Sequence, residues 1–159
     1  MSDLAPPRPA KPQSRHRFAI VASEFNREFV DALVDHASAE LRTLAPESPV
    51  EIHRVPGAFE IPVVVSELAL DESISAVLAL AVIIRGHTPH AEHLARSVTE
   101  GLQHIATTQR VPVINAVLGV ENEEQARERC CGERINRGTE AARAAVQIAG
   151  VMAKLRSNG

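Results

Sequence analysis

Ala76-Val77-Leu78-Ala79-Leu80-Ala81-Val82-Ile83-Ile84, followed at once by Arg85-Gly86-His87-Thr88-Pro89-His90, decides the reading of this chain. The first run is apolar without a break, as in a strand buried on both faces. The second closes that strand and opens a helix over Ala91–Thr107. Thr88 is a good N-cap, and Pro89 suits the first helical position. A helix that begins at the end of a strand offers free backbone N–H groups and a partial positive charge. That geometry binds anions, phosphate above all. His90 falls in the first turn, where a neutral imidazole able to take and return a proton is expected. A Thr-Pro junction can also serve only to start a helix, so the rest of the chain has to decide.

The rest alternates strand and helix. Phe18–Ala22, Val50–Val55 and Val111–Leu118 read as further strands. Arg27–Leu44 is helical, with Phe29, Leu33, Ala37, Leu41 and Leu44 at spacings of three and four. Ile61–Leu70 reads as a helix with Pro62 in its first turn. Glu123–Cys130 is a short helix whose start, Asn122-x-x-Gln125, resembles a capping box. The last helix is Thr139–Leu155, rich in alanine. Four β-α units in succession imply a parallel sheet covered on both faces. The expected fold is a three-layer α/β/α sandwich around a four-stranded parallel sheet, flavodoxin-like in arrangement.

Composition narrows the class. The chain has 159 residues and a formal net charge of −3, with both signs mixed along it. Residues 17–159 read as one domain, and residues 1–16, with Pro6, Pro7, Pro9 and Pro12, as a Pro-rich disordered or extended tail. No basic stripe invites nucleic acid. No apolar run approaches a membrane span, and the N-terminus lacks the apolar core of a signal peptide. Cys130 and Cys131 are adjacent, without the spacing of a zinc site, so a reducing cytoplasm is the expected home. His87, His90 and His93 recur every third residue, yet no carboxylate motif completes a metal site, and none is expected.

Ligands of such sheets bind beyond the carboxyl ends of the strands. Ser23–Asn26, Val55–Glu60, Arg85–His90 and Gly119–Glu123 fall there. Of the four phenylalanines, Phe25 and Phe59 lie at strand ends. Each is either a stacking face for a flat heterocycle or a plug at the edge of the core. For Phe59 core packing is the first reading; for Phe25 the two stand level. Glu60 either orients hydroxyl and N–H groups or only favours a helix start. Arg127 and Arg129 lie on the fourth helix, where solvation is the first reading and a bidentate phosphate contact the other.

Val55-Pro56-Gly57-Ala58-Phe59-Glu60-Ile61-Pro62 resembles the signature of the lumazine synthase family. Phe25-Asn26, Val82–His90, Glu124-Gln125-Ala126 and Asn136-Arg137-Gly138 agree in order and spacing, so the likeness runs from about Phe18 to Ala149. The resemblance implies riboflavin biosynthesis. Such an enzyme condenses 5-amino-6-(ribitylamino)uracil with 3,4-dihydroxy-2-butanone 4-phosphate to 6,7-dimethyl-8-ribityllumazine, without metal or organic cofactor. It implies that His90 transfers protons and that Phe25 stacks on the pyrimidine. Ala58, Phe59 and Glu60 would hold the ribityl chain and ring, and Val82, Ile83 and Ile84 would line the ring pocket. His87, Thr88 and Arg129 would hold phosphate. Asn115 would touch substrate where a larger, often aromatic side chain is frequent. Arg137 replaces a usual lysine, Gly119-Val120 a common Thr-Thr, and Ala81-Val82 a common Gly-Thr or Gly-Ala.

The resemblance also implies a homo-oligomer, a pentamer or a capsid of sixty subunits. Its sites would lie between neighbours, with Phe25, Glu60 and His90 from one and Asn115 and Arg129 from the next. The loop Gly132–Gly138 is short, as in capsid formers, although Ile135 stands where they carry a small residue. Riboflavin synthase is the further partner such an enzyme suggests. The rival from another class is a non-catalytic flavin- or lumazine-binding module of the same fold. It would use Phe25 and Glu60 but have no need of His90 or Arg129.

Overall fold

In the computed structural model, which describes residues 4–158, strand β3 (Ala76–Ile84) is buried along nearly its whole length. It lies between β1 (Phe18–Ser23) and β4 (Val113–Val120), and β2 (Val50–Val55) completes the sheet beyond β1. All three pairings are parallel, in the order β2-β1-β3-β4. Parallel neighbours need crossovers, and the helices supply them. These are α1 (Arg27–Leu44), α2 (Ile61–Leu68), α3 (His90–Gln109), α4 (Glu123–Cys131) and α5 (Arg137–Ser157).

Alternation along the strands divides the core in two. Ile20, Leu78, Leu80 and Ala116 face Leu33 and Leu41 of α1, Ala126 of α4 and Ala142 and Ala145 of α5. Val21, Val77 and Ala79 face Ile61 and Val65 of α2 and Val98 and Leu102 of α3. The expected three-layer α/β/α sandwich with a four-stranded parallel sheet is therefore the observed one.

Boundaries differ from expectation where local chemistry intervenes. β4 begins at Val113 rather than Val111, because Pro112 has no N–H and contributes only its carbonyl, which accepts from Val77 N at 2.9 Å. α3 begins at His90 with Pro89 as its N-cap, so Thr88 stands one position outside the cap. The Thr88 hydroxyl still accepts from the His90 N–H, at 3.4 Å. α5 begins at Arg137 because Asn136 caps it, accepting from Thr139 N at 2.7 Å. Asn122 caps α4 as expected, accepting from Gln125 N at 2.9 Å.

Residues 5–12 carry no regular secondary structure. Arg8 reaches Glu40 of α1 at 2.8 Å, and Arg143 of α5 binds the same carboxylate at 3.2 Å. Arg143 also donates to the Pro6 carbonyl. Burial pushes the Glu40 carboxyl up, but hydrogen bonds and charge from Arg8 and Arg143 outweigh it and hold the group below its ordinary range. A carboxylate depressed in the fold contributes stability that is present above its unfolded pKa and lost as pH falls through the folded one. Melting temperature against pH, wild type beside Glu40→Gln, should therefore show the wild type losing its advantage in acid. Parallel curves would exclude the linkage.

α1 and α5 come together at Gly138. A Cβ there would sit 2.4 Å from the Leu33 carbonyl oxygen, and backbone cannot yield as a side-chain tip can. Gly138→Ala should cost about 1–3 kcal/mol, the usual range for overpacking, read from denaturant midpoints at constant slope.

Candidate active site

The carboxyl ends of β1, β2 and β3 open into a cleft of about 630 Å³. Two backbone contacts and one side-chain contact tie its loops together. Glu24 N donates to Val55 O at 2.7 Å and Phe25 N to Pro56 O at 3.1 Å, stitching the β1 loop to the β2 loop. Asn26 then takes a left-handed conformation, φ 56° and ψ 43°, immediately before α1. Asparagine tolerates that region better than most residues. Its side-chain amide donates to Val82 O at 2.7 Å, tying the turn to β3.

Phe25, Ala58, Phe59, Glu60, Val82, Ile83, Ile84, Thr88 and His90 all line this cleft. Ser23, Asn26, Gly57, Gly86, Ala91 and Leu94 join them, and sequence reasoning did not single these out as binding residues. Asn26 was the findable one, since an asparagine just before a helix start is a turn signal. Phe25 and Phe59 are 73% and 66% exposed. Neither is a core plug, which corrects the first reading of Phe59. The short 3-10 turn Ala58–Glu60 lifts that ring out of the core and into the cleft wall. Glu60 folds back so that its Oε2 would lie 3.1 Å from a Cβ on Gly57. His90 opens α3 at the mouth, beside the Thr88 hydroxyl. His87 is exposed and is not among the lining residues.

Asn115 and Arg129 are placed elsewhere. They line a separate groove of about 490 Å³ along the open edge of β4, with Arg137 and Glu140 of α5. Asn115 is held by its neighbours, donating to Thr99 Oγ1 at 3.1 Å and accepting from Val117 N at 3.1 Å. Arg137 and Glu140 pair with each other. Arg129 has a buried Nε without a hydrogen-bond partner among the described residues, and its NH1 donates to Gln125 Oε1 at 3.2 Å. Arg127, the other candidate on α4, turns the opposite way. It pairs with Glu28 at 2.7 Å and lies over the Phe29 ring at 5.4 Å from its centre. The next residues are Cys130, fully buried, and Cys131, half-buried. Burial, with the Cys131 charge and against that of Arg129, pushes the Cys130 thiol up to about 12.

Among the described residues no group of three or more His, Cys, Asp or Glu is placed to hold a metal ion. No helix among them is long and apolar enough to cross a membrane.

Fold and cleft together define a flavodoxin-like α/β domain. The carboxyl edge of its sheet presents two exposed rings, a carboxylate, a histidine at a helix N-terminus and, in a separate groove, an arginine. Comparison with known proteins gives the family. The family model for 6,7-dimethyl-8-ribityllumazine synthase matches residues 15–153. A 6,7-dimethyl-8-ribityllumazine synthase of Aquifex aeolicus is 42% identical over 141 residues, which is 88% of this chain and 92% of the relative. One from Xanthomonas oryzae pv. oryzae is 40% identical over 151 residues, 94% of either chain. One from Stenotrophomonas maltophilia is 40% identical over 140 residues, 87% of this chain and 90% of the relative. The chain belongs to the 6,7-dimethyl-8-ribityllumazine synthase family.

Rings exposed in the fold contribute little to it. Phe25→Ala should change unfolding free energy by no more than about 0.5 kcal/mol, the usual range for surface positions. Asn26→Ala should cost about 1–2 kcal/mol, because alanine takes the left-handed conformation at a penalty and drops the Val82 bond. Denaturation of both variants checks the contrast. A large loss for Phe25→Ala would make it a structural ring.

Proposed function

We propose that this chain catalyses the last step before riboflavin's own formation, with the roles of its residues divided between the two grooves. It condenses 5-amino-6-(ribitylamino)uracil with 3,4-dihydroxy-2-butanone 4-phosphate, releasing phosphate and giving 6,7-dimethyl-8-ribityllumazine. It is a transferase of riboflavin biosynthesis. The observation that carries the reading is the shared cleft, in which two exposed rings and Glu60 face the histidine that opens α3.

The chemistry follows from those groups. Phe25 stacks on the flat pyrimidine, while Ala58, Phe59 and Glu60 hold its ribityl chain and Val82–Ile84 border the ring. Glu60 accepts from hydroxyls. The pyrimidine amine attacks the ketone and water leaves, giving an imine. Loss of a carbon-bound proton then expels phosphate, and the second amine closes the ring with loss of another water. His90 is the group that takes and returns protons in these steps. The phosphate meets N–H groups at the α3 N-terminus, with His87, Thr88 and the Arg129 guanidinium. No cofactor takes part. The non-catalytic alternative gives His90 and Arg129 nothing to do, and the relatives' names do not favour it.

Arg129 and Asn115 line a different groove from His90 on the same chain. We therefore assign the complete site to two subunits of a homo-oligomer, the second supplying Asn115 and Arg129. A pentamer or a capsid of sixty subunits provides such interfaces. In this reading the catalytic domain is residues 17–159, residues 1–16 form an appended Pro-rich tail, the enzyme works in the cytoplasm, and riboflavin synthase is the partner that consumes its product.

Steady-state kinetics test the roles. Arg129→Ala should chiefly raise the KM for the butanone phosphate, since a charge-assisted contact to an anion is lost. His90→Ala should slow turnover by about 10²–10⁴-fold, the worth of general acid–base help, and leave pyrimidine affinity nearly unchanged. Activity above background should survive in it, because holding two substrates together is itself a large contribution. Wild-type turnover in His90→Ala would move proton transfer elsewhere.

A further inference from the structure

We propose that Gln125 is a positioning residue for Arg129, holding the guanidinium in place without cancelling its charge. The inference rests on the reading of Arg129 as a phosphate ligand. Gln125 lies one turn before Arg129 on α4. Its Oε1 accepts from Arg129 NH1 at 3.2 Å and from the Glu121 backbone N–H at 2.9 Å. Only the carbonyl oxygen of the amide can accept from both donors, so the amide has one orientation. The Glu121 bond anchors it to the end of β4, and the anchored oxygen in turn fixes a long, flexible arginine.

What matters is that the acceptor is neutral. The neighbouring arginines are paired with carboxylates, Arg127 with Glu28 and Arg137 with Glu140. Arg129 has no carboxylate within ion-pair distance among the described residues, although α4 is rich in glutamate. Its Nε is buried and without a partner there. A guanidinium oriented by an amide keeps its full charge and spare donors for an anion. One oriented by a carboxylate would have spent both. Fixing the side chain beforehand also removes part of the ordering cost of binding.

Two variants, measured in the assembled enzyme, separate orientation from charge. Gln125→Met keeps the volume and removes the acceptor. It should raise the KM for the butanone phosphate and the Ki for inorganic phosphate by about 3- to 10-fold, the net worth of one ordinary hydrogen bond lost from the guanidinium's support. Turnover and pyrimidine KM should stay within about twofold. Gln125→Glu keeps both hydrogen bonds, so it should fold with a wild-type melting temperature. It should still weaken inorganic phosphate, because the carboxylate offsets the guanidinium. In an Arg129→Ala background, Gln125→Met should add nothing further to KM.

Full additivity in that background, an unchanged phosphate Ki in both variants, or a fall in turnover at constant KM would each overturn the positioning role. If Arg129→Ala itself leaves KM unchanged, the phosphate reading of Arg129 falls and takes this inference with it. That outcome is distinct from one in which Arg129 matters and Gln125 does not.

Discussion

The residue-by-residue pairing of β3 with β4 is the constraint on which the proposed site's edge depends. Val77 stands opposite Val113, and the ladder runs to Ile84 opposite Val120. It continues past the strand, where Arg85 N donates to Val120 O at 2.8 Å. Both strands therefore release the chain at the same level. One chain end turns into α3 and packs on the Val98–Leu102 side of the sheet; the other turns into α4 and packs through Ala126 and Cys130 on the opposite side. Parallel pairing in this register puts His90 and Arg129 at one edge but in different layers. A slip of one residue would exchange the faces of every side chain on β4.

The anion site proposed at that edge is assembled from parts that need no acidic or basic excess overall. The chain is mildly acidic, yet a helix N-terminus and a guanidinium concentrate positive potential locally. The contrast between Arg127 and Arg129 is instructive. The two lie two residues apart on one helix, so they point in different directions. One is absorbed by Glu28 and Phe29, and the other is left with a neutral partner. Neither net charge nor helix position distinguishes them in advance.

Most of the architecture was legible because β3 is a continuous apolar run and the helices carry a clear three-and-four spacing. The boundaries that moved did so for reasons a pattern does not carry. Pro112 contributes a carbonyl to the sheet but no donor, and Asn136 begins α5 earlier than its apolar stripe does. The cleft residues were legible for the same reason as the fold, since strand ends converge in a parallel sheet. Phe59 was misread because exposure depends on the brief 3-10 turn that carries it, and three residues leave no periodic trace. Asn26, which lines the cleft, and Gln125, proposed to position Arg129, escaped notice because what each does depends on which carbonyl or N–H it meets, at Val82 and at Glu121. Those partners are 56 and 4 residues away, and only the folded chain names them.

The two adjacent thiols on α4 differ in access, Cys130 being buried and Cys131 only partly so. Thiolate is the nucleophile, so a buried Cys130 raised to about 12 is inert to alkylating reagents at neutral pH. Cys131 keeps part of its surface in solvent. These are the only two cysteines in the chain. A single maleimide dye would therefore attach at one known position per subunit, two residues from Arg129, without any engineered background. The fold has in effect supplied its own labelling site, from which the proposed filling of the arginine groove can be followed by fluorescence.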